Sequence, residues 1–449
     1  MESTVSEPMF TRKAIVALIV PLILEQILNV FVGMADSIMV SSVGEAAVSG
    51  ISLVDSINFL LIQLFAALAT GGAVICSQYI GKGDRISAGS AAKQLIYFSV
   101  AFAALLGAIA IIFNHLLLEL IFGNVEEAVM QNAQTYFWLS ALSYPFLALY
   151  NAGAALFRSM NKSRITLYIS ALVNLINICG NALLIYGFKM GVAGAATATL
   201  LARAAGGIVI FMLLCKPRQP IHVDEPFRYR PEGAMLGRIL KIGIPTGTEN
   251  SLFQLGKLLL SHLVATFGTA AISANAISNT LVSMSNVPGA AIGLGLVTIV
   301  GQCMGARQPK QAMQYTKKML LLTFLLMNIL NVIMYVGAAQ LAGIYHLSQE
   351  ATDAAVEIIR SFALAAAIFW PLSFTIPNAL RAAGDAKFTM FVSITSMFLF
   401  RVILAYVLAY NTDLGVITVW LGMYADWVVR AVLYTVRLIR GKWKNIRLV

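Results

Sequence analysis

A series of long apolar runs is the feature that most constrains the fold of this chain. Each run approaches the roughly 20 residues that an α-helix needs to cross the hydrocarbon core of a bilayer. Only 11% of the 449 residues are charged, whereas a soluble domain carries about 25%. Only helices or closed barrels can satisfy their backbone groups in lipid. Because the strict alternation of barrel strands is absent, we predict an all-α integral membrane protein.

Twelve transmembrane helices are predicted from these runs. They exceed the bare spanning length because tilt and interfacial turns add residues. Their predicted bounds are 14–41, 47–80, 94–113, 128–157, 165–187, 192–215, 236–265, 270–303, 319–337, 352–380, 388–410 and 414–436.

The basic residues of the connecting segments lie on one side of this predicted topology. Twenty-five Lys and Arg residues fall on that side, and the opposite side receives Lys189 alone. The positive-inside rule places the basic side, with both termini, in the cytoplasm. We therefore predict a multi-pass protein of the plasma (cytoplasmic or inner) membrane. The net charge of +11 is attributed to topology and to contact with anionic lipid, and no nucleic-acid partner is expected.

The chain contains an internal repeat at an offset of 224 residues. Each repeat holds six predicted helices, so both enter the membrane from the same side, an arrangement typical of transporters that work by alternating access. We predict two pseudo-symmetric six-helix bundles: an N-lobe at 1–215, a cytoplasmic linker at 216–234 and a C-lobe at 235–449. The matching pairs include Pro21–Pro245, Glu25–Glu249, Gly44–Gly268, Gly71–Gly295, Gln78–Gln302 and, with one gap, Arg158–Arg381. The paired glutamates are expected to share a structural role near the inner side.

An acidic residue and a stripe of amides occupy membrane depth in the N-lobe. Asp36 lies in the first helix, and Asn174, Asn177 and Asn181 share one face of the fifth. A carboxyl group partly removed from water can bind and release a proton, and amide oxygens can coordinate Na⁺. We expect these residues to bind a coupling cation or to line the substrate cavity, although such amides also join helices by hydrogen bonds. Neighbouring helices add Asn151, Thr197 and Thr199.

The C-lobe carries a second set of polar residues at membrane depth. Glu249 and Lys257 lie two turns apart on the seventh helix, and Asn275 and Asn279 share a face of the eighth. These four residues form either a second polar site on the substrate cavity or, for Glu249 and Lys257, a structural ion pair. Asp55 is expected to face water at the outer start of its helix. Five other charged residues are expected to pair within their lobe or to snorkel: Arg203, Arg360, Arg401, Asp426 and Arg430.

Pro21 is a predicted hinge in the first helix. A proline inside a helix removes one backbone hydrogen bond and permits a bend. We hypothesise that a change of protonation at Asp36 alters the bend at Pro21, and that the bend carries this change to the substrate cavity.

The sequence predicts neither a cofactor nor an enzyme. The four cysteines and four histidines are scattered without CxxC or zinc-ligand spacing. No metal is expected beyond a Na⁺ at the coupling residues. Catalytic pairs, an HExxH motif and a long soluble insertion are all absent from the sequence, which disfavours a membrane enzyme or a receptor.

The chain resembles the multidrug and toxic compound extrusion (MATE) transporters, and within them the DinF-like branch. The resemblance implies a V-shaped, two-lobe fold of the MATE/MOP type and a cation antiporter. It rests on the stretches PLILEQILNVFVGMADSIMVSSVGEAAVSGIS, SQYIGKGDRISAG, ALFRSMNKSRI, NLINICGNALLIYG, GVAGAATATLLAR and ALRAAGDAKFT.

The resemblance also implies roles for particular residues. Asp36 matches the carboxylate that binds H⁺ or Na⁺, with Asn177, Asn181 and Thr199 in the same polar cluster and Asn151 beside it. Some relatives have a second acid at the position of Asn181, and one acid instead of two favours H⁺ over Na⁺. The stretch 362–378 contains no acid, so a cation site in the C-lobe is not expected.

The predicted function is secondary active multidrug efflux. Amphipathic, cationic organic compounds would leave in exchange for H⁺ (or Na⁺), with Asp36 as the coupling carboxylate. The alternatives with the same number of helices are a lipid-linked saccharide flippase of the same superfamily and a major-facilitator carrier. The expected partners are small drug-like substrates and the lipid bilayer, and we expect a monomer.

Overall fold

The computed structural model describes residues 7–123, 125–224 and 230–449. The chain divides into two compact units, Val16–Gly247 and Thr248–Val449, the second of which also includes residues 7–15. The predicted lobe and linker boundaries stay a prediction, and residues 225–229 of that linker lie outside the described residues.

The unit Val16–Gly247 is built from long helices and one short helix. Helix α6 continues as a π-helix at Ala182–Gly187, where each turn takes one extra residue. The helices are α1 Arg12–Ser41, α2 Glu45–Lys82, α3 Arg85–Ile112, α4 Asn114–Phe122, α5 Glu127–Ser159, α6 Ser163–Asn181, α7 Gly191–Leu214 and the first part of α8.

The unit Thr248–Val449 has the same plan. Two of its long helices are interrupted by π-helical segments, Pro371–Thr375 and Met397–Ile403. Its helices are α8 Gly233–Thr266, α9 Thr269–Gly305, α10 Pro309–Val336, α11 Ala338–Gly343, α12 Gln349–Trp370, α13 Ile376–Ala382, α14 Ala386–Ser396, α15 Leu404–Asn411 and α16 Ile417–Arg440.

Each of the twelve predicted spans overlaps one long helix, taken with its π-helical continuation where there is one. In the described ranges, nine helices are long and apolar enough to cross a membrane by length and composition alone. The remaining three, α5, α8 and α16, carry more polar residues.

Two predicted helix starts are wrong. Helix α3 begins at Arg85 and not at residue 94, and α10 begins at Pro309 and not at residue 319. The apolar pattern marks only the part of a helix that lies in lipid, whereas both helices begin with turns that carry charged residues. Asp84 caps α3 by accepting a hydrogen bond from the Ser87 N–H at 3.0 Å. Together with the Ser87 hydroxyl, this bond lowers the pKa of the Asp84 carboxyl below its usual range.

Small residues let the helices of the first unit approach closely. A Cβ built on Gly107 of α3 would lie 2.8 Å from the carbonyl oxygen of Ala141 on α5. A Cβ on Gly207 of α7 would lie equally close, at 2.8 Å, to the carbonyl oxygen of Phe146. Such contacts are typical of membrane helices, whose association depends on close packing.

Candidate functional site

The face of α1 that contacts α6 carries a row of polar bonds. The Thr166 hydroxyl donates to the Glu25 carboxylate at 2.8 Å, and the Ser170 hydroxyl donates to the Asn29 side-chain oxygen at 3.1 Å. Arg158 of α5 lies 3.7 Å from Glu25. Because these groups sit at helical spacing on both helices, they fix the register of α1 on α6.

Asp36 lies at the outer end of this row, among the predicted amides. The Asn181 amide nitrogen donates to Asp36 Oδ1 at 2.9 Å. With the Asn177 amide turned so that its nitrogen faces the carboxylate, that nitrogen lies 2.6 Å from Oδ1 and 3.0 Å from Oδ2. In the same orientation the Asn177 oxygen accepts a bond from the Thr199 hydroxyl at 3.3 Å. The structure therefore brings together the four residues predicted to bind the coupling cation.

One polar atom of this cluster lacks a partner. The side-chain oxygen of Asn181 is buried and has no hydrogen-bond partner among the described residues, and Asn181 itself is 2% exposed. Buried acceptors are almost always satisfied. An unsatisfied oxygen beside a carboxylate is the arrangement that a bound cation or an acidic proton would complete.

The cluster opens onto a cavity of about 420 Å³ within the unit Val16–Gly247. This volume lies within the range of small-molecule sites, about 300–1,000 Å³. Its wall includes Asp36, Asn174, Asn177, Asn181 and Thr199. The wall also includes three larger polar residues that were not assigned to a site from the sequence: Asp55, Tyr136 and Arg203.

Asp55 is a second acid on the wall of this cavity, beside Asp36. The side chain is exposed to the cavity that Asp36 lines, and it accepts a bond from Asn58 at 3.3 Å. Arg203, also on the cavity wall, donates to the Ser143 hydroxyl at 2.8 Å. The preference for H⁺ over Na⁺ was predicted from a single acid at one helix position, and Asp55 of α2 is a second acid in the same cavity. The choice of coupling ion stays a prediction.

Asn174 and Asn151 occupy different surroundings. Asn174 lines the cavity and donates to Asn29 at 3.2 Å, so it bridges α6 and α1 without bonding to Asp36. The Asn151 nitrogen is buried without a hydrogen-bond partner in the described part of the chain, and Asn151 is not among the residues of the cavity wall. Asn29 also belongs to the row of polar bonds between α1 and α6. Its position one helical turn after Glu25, on the same face of α1, is a signal in the sequence that could have predicted this.

In the unit Thr248–Val449, Glu249 forms a structural ion pair. Its partner is Arg381, whose Nη2 lies 2.8 Å from Glu249 Oε1, and the Ser393 hydroxyl donates to the same oxygen at 2.6 Å. Lys257 was the partner suggested by spacing along α8, but its ammonium lies 5.3 Å from the ring centroid of Phe253 instead. Glu249 and Lys257 therefore do not form one site.

The other polar and charged residues predicted in this unit form contacts of their own. Asn275 accepts a bond from the Trp420 indole nitrogen at 3.1 Å, and Asn279 donates to the backbone carbonyl of Asn275 at 2.8 Å. Arg430 and Asp426 pair within the unit at 2.7 Å, as expected. The longer pair of Arg401 with Asp426 measures 3.8 Å.

Pro21 lies inside α1, which is continuous from Arg12 to Ser41. Its ring is buried, about four turns from Asp36. Among the residues that the structure describes, no group of three or more His, Cys, Asp or Glu could hold a metal ion.

Two segments of the chain, residues 21–183 and 245–407, match the MatE family model. The chain belongs to the MatE family. The two matches begin 224 residues apart, which is the offset of the internal repeat, and each match covers the first five predicted helices of one half. MatE proteins are membrane transporters, which confirms the predicted family, the multi-pass topology and the absence of an enzyme. Assignment to the DinF-like branch stays a prediction.

Known MatE relatives match over nearly the whole chain. The uncharacterized transporter YisQ of Bacillus subtilis is 27% identical over 92% of this chain and 91% of its own length. A probable multidrug resistance protein NorM of Thermotoga maritima is 25% identical over 97% of this chain and 93% of its own. A solved MOP superfamily transporter from Pyrococcus furiosus superposes with a TM-score of 0.90 at 18% identity, covering 97% of each chain. This likeness confirms the predicted twelve-helix fold.

Proposed function

We propose that this MatE protein is a multidrug efflux antiporter that exports amphipathic, cationic organic compounds in exchange for H⁺ or Na⁺. The observation that carries the proposal is Asp36, held by Asn177 and Asn181 on the wall of a cavity of about 420 Å³. Several relatives, among them the NorM of Thermotoga maritima, are described as probable multidrug resistance proteins, which favours drug-like cargo.

The chemistry of the cavity wall supports competition between a cation and a drug. Ionised Asp36 accepts bonds from two amides and adds a negative charge that attracts a cationic drug. A proton on Asp36, or Na⁺ bound between Asp36 and the unpartnered Asn181 oxygen, removes that attraction. Binding of one ligand therefore weakens binding of the other, which is the coupling that an antiporter needs.

Because Asp55 is a second acid in the same cavity, both H⁺ and Na⁺ are candidate coupling ions. Asp36 and Asp55 together bear two negative charges against one positive charge on Arg203. Such a wall supplies enough charge for Na⁺ with amide oxygens as further ligands, and it also retains a site for a proton. Thr199 supports the position of the Asn177 amide from the other side.

Pro21 supports a route from cation binding to a shape change. Protonation of Asp36 removes the charge that both amide nitrogens face, and α1 carries Pro21 on the same helix. We infer that α1 bends at Pro21 when Asp36 changes its bonds. We further infer a monomer of the DinF-like branch in the inner membrane, with both termini in the cytoplasm.

The proposal is tested by dye accumulation in cells that express the wild type, Asp36→Asn or Glu119→Gln. Asp36→Asn keeps the shape of the side chain and removes the charge, so we expect dye to accumulate as in cells without the transporter. Glu119 is a control because its side chain is 53% exposed, beside His115, and its variant should extrude dye normally. Equal extrusion by Asp36→Asn and the wild type would refute the role of Asp36.

A further inference from the structure

A group of cations surrounds the ring of Phe253 in the unit Thr248–Val449. Lys257 Nζ, Arg401 Cζ and Arg430 Cζ lie 5.3, 5.2 and 5.3 Å from the ring centroid. They come from three elements: α8, the π-helical segment Met397–Ile403 and α16. Cation–π contact with one phenyl ring stabilises such cations but does not neutralise their charge.

Asp426 neutralises one of these cations well and a second one poorly. Arg430 Nε donates to Asp426 at 2.7 Å, and its other nitrogens donate to the hydroxyl and carbonyl oxygens of Ser393 at 2.8 and 3.1 Å. Arg401 reaches Asp426 at 3.8 Å, which is too long for a hydrogen bond. Arg430 is therefore a satisfied structural residue, and Arg401 is not.

The neighbouring carboxylate does not supply the missing charge. Glu249 Oε1 accepts bonds from Arg381 and Ser393, and the single negative charge of this carboxylate is paired with Arg381. Arg401 is 8% exposed, and its Nε is buried without a hydrogen-bond partner in the described ranges. A buried guanidinium left with an unpaired N–H carries a large free-energy penalty, which an anionic ligand would remove.

Lys257 lies on a polar face of α8. It belongs to a stripe on α8 formed at helical spacing by Asn250, Gln254, Lys257 and Ser261, all at least partly exposed. Polar and charged side chains on a membrane helix face a water-filled space or protein rather than hydrocarbon. Lys257 is itself exposed, so a bound molecule can reach its side chain.

We propose that Lys257 and Arg401 form a binding site for the anionic group of an amphiphilic molecule. The ligand class is a carboxylate, phosphate or sulfonate attached to an apolar body, with Phe253 as the apolar contact. Lys257 binds the anion from the accessible side, and Arg401 Nε donates to it from the buried side. The site lies in a different unit from Asp36 and does not depend on the proposed efflux of cationic compounds.

Two sources could supply such a ligand: a transported amphiphile or an anionic lipid of the bilayer. Both have the same recognised chemistry, one negative group on an apolar body. The experiment therefore includes separate arms for the free solute and for the lipid.

The test measures binding of a bromine-labelled alkyl sulfonate and of the matching uncharged alcohol to the purified full chain in a neutral detergent. Bromine quenches tryptophan fluorescence at short range, and Trp427 directly follows Asp426 in α16. The wild type should bind the sulfonate about tenfold more tightly than the alcohol, as expected for charge-assisted hydrogen bonds. Lys257→Gln and Arg401→Gln should each bring the two affinities close together.

Matched variants distinguish anion binding at this site from a general effect of positive charge and from misfolding. Lys257→Arg should keep the preference for the sulfonate, and so should Lys310→Gln, which removes an exposed charge at the start of α10. Unchanged alcohol binding shows that a variant is folded. Displacement of the sulfonate by phosphatidylglycerol but not by phosphatidylcholine would identify the bilayer as the source, and resistance to both would indicate a solute. Equal affinities in the wild type, or a preference that survives both glutamine variants, would overturn the proposal.

Discussion

The helix pair α1–α6 in one unit and the pair α8–α14 in the other begin alike and diverge further along. Each has a buried glutamate near the proline of its first helix, bonded to an arginine and to a hydroxyl of the second helix. These groups are Glu25, Arg158 and Thr166 in the first unit, and Glu249, Arg381 and Ser393 in the second.

Beyond these glutamates the polarity of the two pairs is opposite. At the repeat offset, Asn29 corresponds to Phe253 and Asp36 corresponds to Leu260. The first pair therefore presents an acid among amides, whereas the second presents Lys257 and Arg401 around a phenyl ring. The glutamate–arginine pair that is present in both units holds their helices together, and the parts that differ carry the two sites proposed above for different ligands.

Single substitutions at the corresponding positions Asp36 and Leu260 should lower the stability of the protein by very different amounts. Leu260 is 4% exposed in an apolar cluster, so Leu260→Asp buries a carboxylate without partners and should destabilise the protein by about 4 kcal/mol or more. Asp36→Leu should cost about 1 to 2 kcal/mol, because it leaves two amides without an acceptor. Thermal unfolding in detergent measures both. Similar losses would mean that the two positions have equivalent surroundings.

Removal of Glu25 or Glu249 tests whether the glutamate–arginine pair has a structural role in both units. Glu25→Ala and Glu249→Ala should each cost about 3 kcal/mol, because each removes a buried carboxylate from an arginine that is itself mostly removed from water. Thermal unfolding followed by tryptophan fluorescence provides the measurement, with Glu119→Ala as the exposed control. A large loss in one unit and none in the other would show that the two pairs do not play the same role.

A smaller effect is expected from the amide beside Asp36. Asn181→Ala removes the unpartnered oxygen that could bind Na⁺ beside Asp36, so a coupling Na⁺ should bind about tenfold more weakly, a loss of about 1.4 kcal/mol. The measurement is the Na⁺ concentration that gives half-maximal dye transport. Asn174→Ala is the matched control, since Asn174 bonds to Asn29, and its cation dependence should stay near that of the wild type.

The smallest predicted effect is at the start of α3. Asp84→Ala removes the bonds to Ser87 and should cost about 1 kcal/mol, whereas Gln308, at the repeat offset, forms no side-chain cap on α10. Because folding lowers the pKa of Asp84, its contribution is present above its ordinary pKa and is lost as the pH falls through the lowered value. Unfolding temperatures at neutral and acidic pH measure this. A wild-type advantage over Asp84→Ala that grows toward acidic pH would contradict the assignment.

The sequence predicted the parts of the site that depend on spacing within one helix. Asn177 and Asn181 share a face at helical spacing, and the offset of 224 residues identified the paired glutamates. Contacts between helices could not be predicted in this way. Arg381, which pairs with Glu249, lies 132 residues further along the chain.

The start of α3 and the role of Asp55 were missed for related reasons. Apolar periodicity detects the lipid-crossing part of a helix, so the charged first turns of α3 were left out. Asp55 lies near the outer start of its helix, which in sequence suggests exposure to water, and only the packing of α2 places it on the wall of the cavity.

We propose that Asp36 couples inward cation movement to export of the drug. Proteoliposomes that contain the wild type or Asp36→Asn test it directly when a pH gradient and a Na⁺ gradient are imposed separately and dye transport is followed. We expect at least one gradient to drive transport by the wild type and neither gradient to drive transport by Asp36→Asn. Gradient-driven transport by Asp36→Asn at the wild-type rate would contradict it.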